Sequence, residues 1–474
     1  MKIHASVFVT NVGKPLANAE KMIEIMKNNP SNLYLFPAYC LTGISCSDLM
    51  EYQCFVDEVN DALDKLCEYT ENEQVCIATA VAGYENIIIR NGDIIQKGST
   101  IIDGKKIVVA ETGDDKGGDI LLLPTAMAGY PCIQNDIIEF CADASKTRKC
   151  MIAVANQGFG ESSADNVYKG FAGIFNRGII VDFKGQELPQ TITAKAEVDQ
   201  QTGLLYTRPN KGVDKIPYYG KNEPSRYLNE LFLLQVQALY TRLAGRDKAY
   251  IAIGLDGSIG AIEALLVAEK TMQMRNLPLK NIIVMVKPGT RDEEFANNIG
   301  ASIVPTTDIT ECKFSQSLAE MADQYDAILV GSQDLTDIAL GLNKFGGKML
   351  REYNINASIP KTLIQALIQN PQQQPENSTY LLNQFAKEQP LYDLEDFILF
   401  FFSKRKAAYS DIKNLCLAVF EELNEDEIIR RLDTFYDNYQ KSQPLRSIVF
   451  EGANLIGFKL PYFPADIQYK LKNR

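Results

Sequence analysis

The sequence predicts an α/β protein with two layered domains. Its 474 residues exceed what one hydrophobic core usually spans, since single cores stop growing near ~250–300 residues. Short β-branched runs alternate with helical runs before and after a proline-punctuated stretch, which is the pattern of layered α/β domains. We therefore predict one domain in residues 1–185, a connector in residues 186–225 and a second domain in residues 226–474.

The first domain is predicted from runs with strand or helix periodicity. The strand candidates are Ile3–Val9, Leu33–Phe36, Val75–Ala80, Asn86–Ile89, Lys106–Val109, Ile120–Leu123, Met151–Ala155 and Gly178–Val181. The helix candidates are Asn18–Lys27, Phe55–Tyr69 and Cys132–Thr147. The pair Asn91-Gly92 predicts a tight hairpin, because both residue types accept the positive φ of a two-residue turn.

The second domain repeats the alternation and then becomes helical. Its candidate elements are the helix Ser225–Ala244, the strand Ala249–Leu255, the helix Ile262–Met274, the strand Ile282–Val286, the helix Glu293–Gly300 and the strand Ala327–Gly331. After residue 360 the pattern is mainly helical. The polar tract Gln369–Glu376 predicts a loop or local disorder.

Composition excludes several classes of function. The net charge of −12 and the lack of a basic stripe argue against a nucleic-acid or anionic-membrane partner. No apolar run approaches a membrane-spanning length, and the amino-terminal run is not a signal peptide, so we expect a cytoplasmic protein. The ten cysteines form no C-x-x-C pair, which indicates reduced thiols. His4 is the single histidine, which excludes a histidine-rich metal site.

Two segments of the first domain carry a family resemblance. Leu35–Gly43 reads LFPAYCLTG and resembles the F-P-E-x-x-L-T-G-Y segment of nitrilase-type amidases, and Asp48-Leu49 matches the D-L that follows in NAD synthetases. Ala153–Ser162 resembles Y-A-N-x-x-G-x-G-E-S. The two segments cover both ends of the domain. The resemblance implies the α-β-β-α sandwich of the nitrilases, or carbon-nitrogen hydrolases, as found in glutamine-dependent NAD synthetases.

The catalytic positions depart from that family's pattern. The family hydrolyses glutamine with a Cys nucleophile, a Glu base and a Lys that faces the oxyanion. Ala38 stands at the base position, Gly113 stands at the nucleophile position, and Lys97 lies near the third position without the expected prolines. Because Ala38 and Gly113 carry no functional group, we expect no glutamine hydrolysis. The alternative is that another thiol, such as Cys40 or Cys132, replaces the lost nucleophile.

The second domain resembles the ATP-dependent synthetase domain, which implies a doubly wound parallel α/β fold of the adenine nucleotide α hydrolase type. Such domains hold the ATP pyrophosphate in an S-G-G-x-D-S loop at a helix amino terminus. The loop here is Asp256–Ala261, DGSIGA, so Asp256 replaces the first serine, with Gly257 and Ser258 as further nucleotide-binding candidates. At ~4 Å a carboxylate repels a phosphate by on the order of 4 kcal/mol, unless a cation bridges them. A family segment E-N-x-Q-A-R is replaced by the shortened run Phe314–Tyr325.

Other parts of the synthetase pattern survive. Val330–Gly341 resembles x-G-T-x-D-L-S-E-L-A-L-G, and Tyr353–Ile364 resembles Y-N-V-N-A-x-V-P-K-T-L-I. The resemblance implies the nucleotide-binding candidates Asp334, Thr336, Asn354, Asn356 and Lys361 and the Mg²⁺ ligand candidate Asp337. We expect Lys361 to meet phosphate, the alternative being a solvated lysine after a helix-starting proline.

The resemblance thus spans nearly the whole chain, while the losses fall on catalytic segments. We predict an NAD synthetase homologue that has lost catalysis in both domains and serves NAD biosynthesis as a structural or regulatory protein. One alternative is a residual enzyme that uses ATP, Mg²⁺ and ammonia to amidate nicotinic acid adenine dinucleotide. Another is a sensor that binds a dinucleotide without reacting. The expected macromolecular partners are a second copy of the chain or an active synthetase.

Overall fold

The computed structural model describes residues 1–96, 98–111, 117–161, 166–206, 215–219, 224–244, 249–307, 311–342, 352–373, 378–387, 392–446 and 451–461. The chain divides into two compact units. The first comprises Met1–Ser162 and Val167–Pro209, and the second comprises Ser163–Asn166 and Asn210–Arg474. Among the helices of the described ranges, none has both the length and the apolar character that a membrane crossing requires.

The first unit is a sandwich of two sheets. Its strands are β1 (Lys2–Val7), β2 (Leu33–Ala38), β3 (Cys76–Val81), β4 (Glu85–Arg90), β5 (Asp93–Gln96), β6 (Ser99–Ile102), β7 (Lys105–Val109), β8 (Ile120–Thr125), β9 (Met151–Asn156), β10 (Phe171–Asn176), β11 (Ile179–Gly185), β12 (Ile192–Glu197) and β13 (Leu204–Leu205). Its helices are α1 (Pro15–Asn28), α2 (Gln53–Glu73) and α3 (Ile133–Arg148), with a 3-10 helix at Ile44–Glu51. One sheet has the order β12-β1-β2-β3-β4-β5, and the other has the order β13-β11-β10-β9-β8-β7-β6.

Alternate side chains of the central strands build three apolar layers. Leu35 of β2 packs in the core between the sheets together with Leu122 of β8. Phe36, the next residue of β2, points to the opposite face and packs under the helices with Met22 of α1. Ile137 of α3 covers the outer face of the second sheet. Because β2 is buried on both faces, its residues form a continuous apolar run, and the predicted α-β-β-α sandwich is confirmed.

Two local features differ in how well the sequence predicted them. The hairpin at Asn91-Gly92 joins β4 to β5, and both residues have positive φ, of 52° and 83°. Strand β12 lies inside the segment predicted as a connector, where it pairs antiparallel with β1, Ile192 opposite Val7. Its alternating buried and exposed residues are typical of an edge strand with one covered face. Residues 192–197 therefore belong to the first unit's sheet.

The second unit is built around one parallel sheet. Its strands are β14 (Tyr250–Gly254), β15 (Ile282–Val286), β16 (Ser302–Pro305), β17 (Ala327–Gly331) and β18 (Tyr353–Asn354). Its helices are α4 (Pro224–Arg242), α5 (Ile259–Met274), α6 (Arg291–Ile299), α7 (Glu311–Gln324), α8 (Leu335–Leu340), α9 (Lys361–Ile368), α10 (Thr379–Lys387), α11 (Asp393–Ser403), α12 (Tyr409–Val419), α13 (Glu425–Lys441) and α14 (Gln443–Arg446), with 3-10 helices at Leu279–Asn281 and Pro371–Gln373.

The strand order of this sheet fixes where a ligand site would form. The order is β16-β15-β14-β17-β18, with every neighbouring pair parallel. The chain runs outward from β14 to β16 and then returns to place β17 on the other side of β14. This reversal is the switch point of a doubly wound sheet, as predicted from the sequence. Ligands of such folds bind outside the carboxyl ends of the strands at that point.

Candidate functional site

The loop after β14 lies at the switch point. Ser258 is the N-cap of α5, and its hydroxyl accepts a hydrogen bond from the Ala261 amide at 3.3 Å. Gly257 has a φ of +83°, which glycine adopts without strain. The Ser258 amide donates to Asp256 Oδ1 at 3.1 Å. The carboxylate that replaces the family's serine thus binds one of the loop's own amides.

A second carboxylate reaches the same loop from the neighbouring strand. Asp292 lies in the first turn of α6, which follows β15, and its side chain is buried. Its carboxylate lies beside the loop, since Asp292 Oδ2 is 4.0 Å from the position a β carbon would take on Gly257, and it interacts with the Gly257 amide. Burial and the nearby Asp256 carboxylate raise the pKa of Asp292, while the Gly257 hydrogen bond opposes the rise. Two successive amides of the loop, Gly257 and Ser258, therefore face carboxylates of the protein itself.

Close backbone packing fills the space behind the loop. A β carbon on Gly260 would lie 2.2 Å from the carbonyl oxygen of Ser332, so no larger residue fits there without a shift. The Gly260 carbonyl accepts from Asn356 Nδ2 at 2.9 Å. The family's aspartate at the position of Gly260 therefore has no room in this packing. The substitution to glycine permits α5 to lie directly against the end of β17.

The surviving lysine of the pattern is held by carboxylates. Lys361 Nζ donates to Asp334 Oδ2 at 2.5 Å and lies 3.1 Å from Asp337 Oδ1. Burial lowers the pKa of Lys361, but the adjacent carboxylates Asp334 and Asp337 outweigh it and raise the pKa above its usual value. Asp334 is buried and also caps α8 by accepting from the Asp337 amide at 2.9 Å. The three predicted site residues thus form one ion-pair cluster.

Thr336 connects this cluster to a buried acid that the sequence analysis did not identify. Its hydroxyl accepts from the Lys361 amide at 2.9 Å and donates to Asp396 Oδ1 at 2.5 Å. Asp396 also accepts from the Thr362 amide at 2.7 Å. Burial raises the pKa of Asp396 to about 6, against the effect of these hydrogen bonds. Asp396 therefore fixes the start of α9, the helix that carries Lys361.

The two asparagines of the Y-N-V-N-like segment lie in the interior. Asn356 joins three elements, because it accepts from Gln235 Nε2 of α4 at 2.8 Å and donates to the Gly260 carbonyl of α5. Asn354 Oδ1 accepts from the Asn356 amide at 3.1 Å. Within the described ranges, Asn354 Nδ2 has no hydrogen-bond partner. Both side chains are buried, and the contacts of Asn356 are structural.

These contacts do not fit ATP and Mg²⁺. The loop amides of Gly257 and Ser258 already face carboxylates, and the Lys361 amine is already paired with two acids. In the part of the chain that the structure describes, no group of three or more His, Cys, Asp or Glu residues is arranged to hold a metal ion. Asp337, the predicted Mg²⁺ ligand, is paired with Lys361.

The amidase positions of the first unit lack reactive groups where they are described. Ala38 is the last residue of β2, is buried and lies opposite Ala80 of β3. Lys97 and Gly113 fall outside the described residues. Cys40 is fully buried, with its sulfur 3.6 Å from Thr79 Oγ1, and burial raises the pKa of its thiol to about 12. Cys40 is thus a protonated packing residue at neutral pH.

The second alternative thiol, Cys132, is the N-cap residue of α3. It has a left-handed φ of 66°, is half-buried and has no side-chain cap hydrogen bond. Among the described residues, neither Cys40 nor Cys132 belongs to a group of three or more His, Cys, Asp or Glu residues that could hold a metal ion.

The surviving amidase motif residues have structural contacts. Glu161 accepts from the amides of Ile44 and Ser45 at 2.9 and 3.1 Å and from the Ser45 hydroxyl at 2.9 Å. Gly160 has a φ of +105°, and a β carbon there would lie 1.9 Å from the carbonyl oxygen of Thr10. These residues hold the loop after β9 against the loops after β1 and β2. Gly160 and Glu161 therefore have packing and loop-anchoring roles.

Sequence reasoning missed Asp292 and Asp396. Asp292 lies in the run RDEE, which is typical of the first turn of any helix, so nothing local separates it from its acidic neighbours. The topology provides the signal, because the loops after the adjacent parallel strands β14 and β15 meet at the same edge. Asp396 lies in a similar acidic helix start, DLED.

Comparison with known proteins agrees with this architecture. No family model matches the chain. The glutamine-dependent NAD(+) synthetases of Mycobacterium bovis and Mycobacterium tuberculosis are each 21% identical to it, over 78% of this chain and 74% of theirs. The crystal structure of a glutamine-dependent NAD(+) synthetase from Cytophaga hutchinsonii matches 99% of this chain and 98% of its own, with a TM-score of 0.75 and 13% identity.

A second solved structure covers a similar extent. The glutamine-dependent NAD+ synthetase from Acinetobacter baumannii, in complex with adenosine diphosphate, matches 97% of this chain and 98% of its own, with a TM-score of 0.65 and 13% identity. The structural matches establish the fold, and the sequence matches extend over most of the chain. The chain is therefore a relative of the glutamine-dependent NAD(+) synthetase family.

Proposed function

We propose that this NAD synthetase-like protein has lost catalysis in both units and serves as a structural or regulatory protein. The observation that carries the proposal is the occupation of the loop after β14. The Ser258 amide, which would face a pyrophosphate, donates to Asp256, and the Asp292 carboxylate lies beside Gly257.

Electrostatics supports the same conclusion. A polyphosphate entering this loop would have to displace both carboxylates from their amides and then remain beside them. At ~4 Å each like-charge contact costs on the order of 4 kcal/mol at an effective dielectric near ~20. The loop amides and the α5 amino terminus are the attractive groups of such a cradle, and the two aspartates already use them.

The lysine cluster gives independent support. Lys361 is the cation that the family resemblance assigns to phosphate, and here Asp334 and Asp337 neutralise it. Releasing the lysine to a phosphate would leave Asp334 buried without its counter-ion, which typically costs about 3–5 kcal/mol. A phosphate at Lys361 would therefore have to break this ion-pair cluster.

The first unit supports the loss of glutamine hydrolysis. Acyl transfer needs a thiolate and a base, and Ala38 provides no base. Cys40, the cysteine nearest in sequence to Ala38, is buried and protonated, since burial raises the pKa of its thiol to about 12. A thiol in that state is a poor nucleophile at neutral pH.

A coupled synthesis assay tests the proposal. Purified protein receives ATP, Mg²⁺, nicotinic acid adenine dinucleotide and either ammonia or glutamine, with an active glutamine-dependent NAD(+) synthetase as the positive control. We expect no NAD from either nitrogen donor. NAD formed from ammonia alone would favour the residual-enzyme alternative, and NAD formed from glutamine would contradict the loss of function in both units.

A protein without turnover exerts its effect through binding, so the proposal extends to assembly with a second copy or with an active synthetase. Light scattering after size-exclusion chromatography measures self-assembly. Addition of the chain to an active synthetase from the same cell, with its rate recorded, measures regulation. A monomer that neither co-elutes with that enzyme nor changes its rate would contradict this part of the proposal.

A further inference from the structure

The loop after β14 remains open to solvent on its outer side. Asp256 and Gly257 are exposed and Ser258 is half-buried, whereas Gly260 behind them is buried. An anion in solution can therefore approach the amides of Gly257 and Ser258 from outside. There it meets the carboxylates of Asp256 and Asp292.

Asp292 contributes to this arrangement in a way that Asp256 cannot. Asp256 belongs to the loop itself, while Asp292 projects from α6 and is 8% exposed. Its carboxylate lies between two helix amino termini, since Asp292 Oδ2 is 4.0 Å from the β-carbon position of Gly257, just before α5, and Asp292 sits in the first turn of α6. Both helix termini favour a negative charge at this place. Asp292 is thus held more firmly than a flexible exposed acid.

We infer that Asp292 is a specificity-determining residue: together with Asp256 it occupies the loop as a built-in substitute for phosphate and so excludes polyphosphate ligands. The inference rests on the proposed function, because it explains why the loop does not bind ATP. The inference also assigns part of the exclusion of polyphosphate to Asp292, which lies in α6 and outside the loop.

The inference predicts that both acids must be removed before an anion can bind. After a change at Asp256 alone, Asp292 still binds the Gly257 amide and still repels an incoming phosphate. After a change at Asp292 alone, Asp256 still binds the Ser258 amide. Only the double change frees both amides while the α5 amino terminus and Gly260 stay as they are.

Titration calorimetry of the full chain with inorganic pyrophosphate, without added divalent cation, tests the inference. The variants are Asp256→Ser/Asp292→Ala and the charge-matched control Asp256→Ser/Glu294→Gln. Glu294 lies in the same turn of α6 as Asp292 but is exposed. We expect the first variant to bind pyrophosphate at least tenfold more tightly than the wild type. The control should gain much less, although it has lost the same net charge.

Two results would overturn the inference. One is a folded Asp256→Ser/Asp292→Ala protein, with the circular dichroism of the wild type, that does not bind pyrophosphate. The other is equal binding by the Glu294 control. If Asp292→Ala does not fold, Asp256→Ser/Asp292→Asn removes the charge but keeps an acceptor for the Gly257 amide; it should show a smaller gain, and no gain refutes the inference. NAD synthesis by the wild type would instead refute the proposed function, so the two failures are distinguishable.

Discussion

The two units retain their family motifs for different reasons. In the first unit the surviving motif residues, such as Gly160 and Glu161, are packing and loop-anchoring residues, and the described catalytic position, Ala38, has no functional group. In the second unit charged residues remain at the site, but they bind one another. Under the proposed function, the first site lacks its reactive groups, whereas the second keeps charged groups that are paired with one another. Each arrangement predicts a different response to mutation.

The largest expected effect on stability tests whether Gly160, in the motif segment after β9, has a structural role. Gly160→Ala places a β carbon 1.9 Å from the Thr10 carbonyl oxygen at a φ of +105°. Backbone strain and overpacking together should lower the free energy of unfolding by about 4–6 kcal/mol. Urea unfolding followed by circular dichroism measures it.

The matched control for that change is Gly104→Ala. Gly104 has a φ of +76° with nothing within 4 Å of the β-carbon position, so it tests the backbone strain without the clash. We expect it to cost about 1–2 kcal/mol. Equal effects of the two substitutions would show that the close approach to Thr10 has no structural role.

The next effect tests whether the second unit's charges are paired. Lys361→Met keeps the aliphatic stem but leaves Asp334 buried beside Asp337. We expect the free energy of unfolding to fall by about 3–5 kcal/mol, because one partner of a buried pair has been removed.

An exposed ion pair provides the comparison for Lys361. Lys413→Met breaks the pair with Glu425, whose side chain is 58% exposed, and should change stability by less than about 1 kcal/mol. If Lys361→Met were as mild as Lys413→Met in the same urea titration, Lys361 would behave as a free lysine, and the contrast between the units would be lost.

A pH-dependent effect arises from Glu263 in α5, directly after the loop. Its carboxyl group is fully buried without a described hydrogen-bond partner, and burial raises its pKa from 4.5 to about 8. The folded chain therefore binds this proton more tightly than the unfolded chain. The resulting stability is fully present at low pH and is lost as the pH rises from about 4.5 to about 8.

Glu263→Gln should remove this dependence. Relative to the variant, the wild type should lose about 3 kcal/mol in the free energy of unfolding between pH 5 and pH 7. Urea titrations at both pH values measure the difference, with Glu294→Gln as the exposed control. A variant that tracks the wild type at both pH values would show that Glu263 is not a buried neutral acid.

The smallest effect concerns the cap of α5. Ser258→Ala removes the hydroxyl that accepts from the Ala261 amide, and we expect a loss of about 1 kcal/mol. The carboxylates of Asp256 and Asp292 still hold the loop amides in this variant. A loss as large as that of Lys361→Met would mean that the hydroxyl, and not the carboxylates, maintains the loop.

The sequence predicted the fold well where strands are buried on both faces. The run before Ala38 and the run Ile282–Val286 are continuously apolar, and the structure forms β2 and β15 there. Strand β12 was missed because its polar residues alternate with alanine within a proline-rich stretch. In the candidate site, Asp256 was identified by its position in a motif. Asp292 was not, because only the pairing of β14 with β15 brings it to the loop.

The central claim is that the loop of the second unit is already occupied by the protein's own carboxylates. Calorimetric titration of the wild-type chain with ATP and Mg²⁺ tests it most directly, with an active NAD synthetase as the control for the reagents. The account predicts no saturable binding at millimolar ATP. A saturable isotherm with a dissociation constant below the millimolar range, abolished by substitution of Lys361, would contradict it.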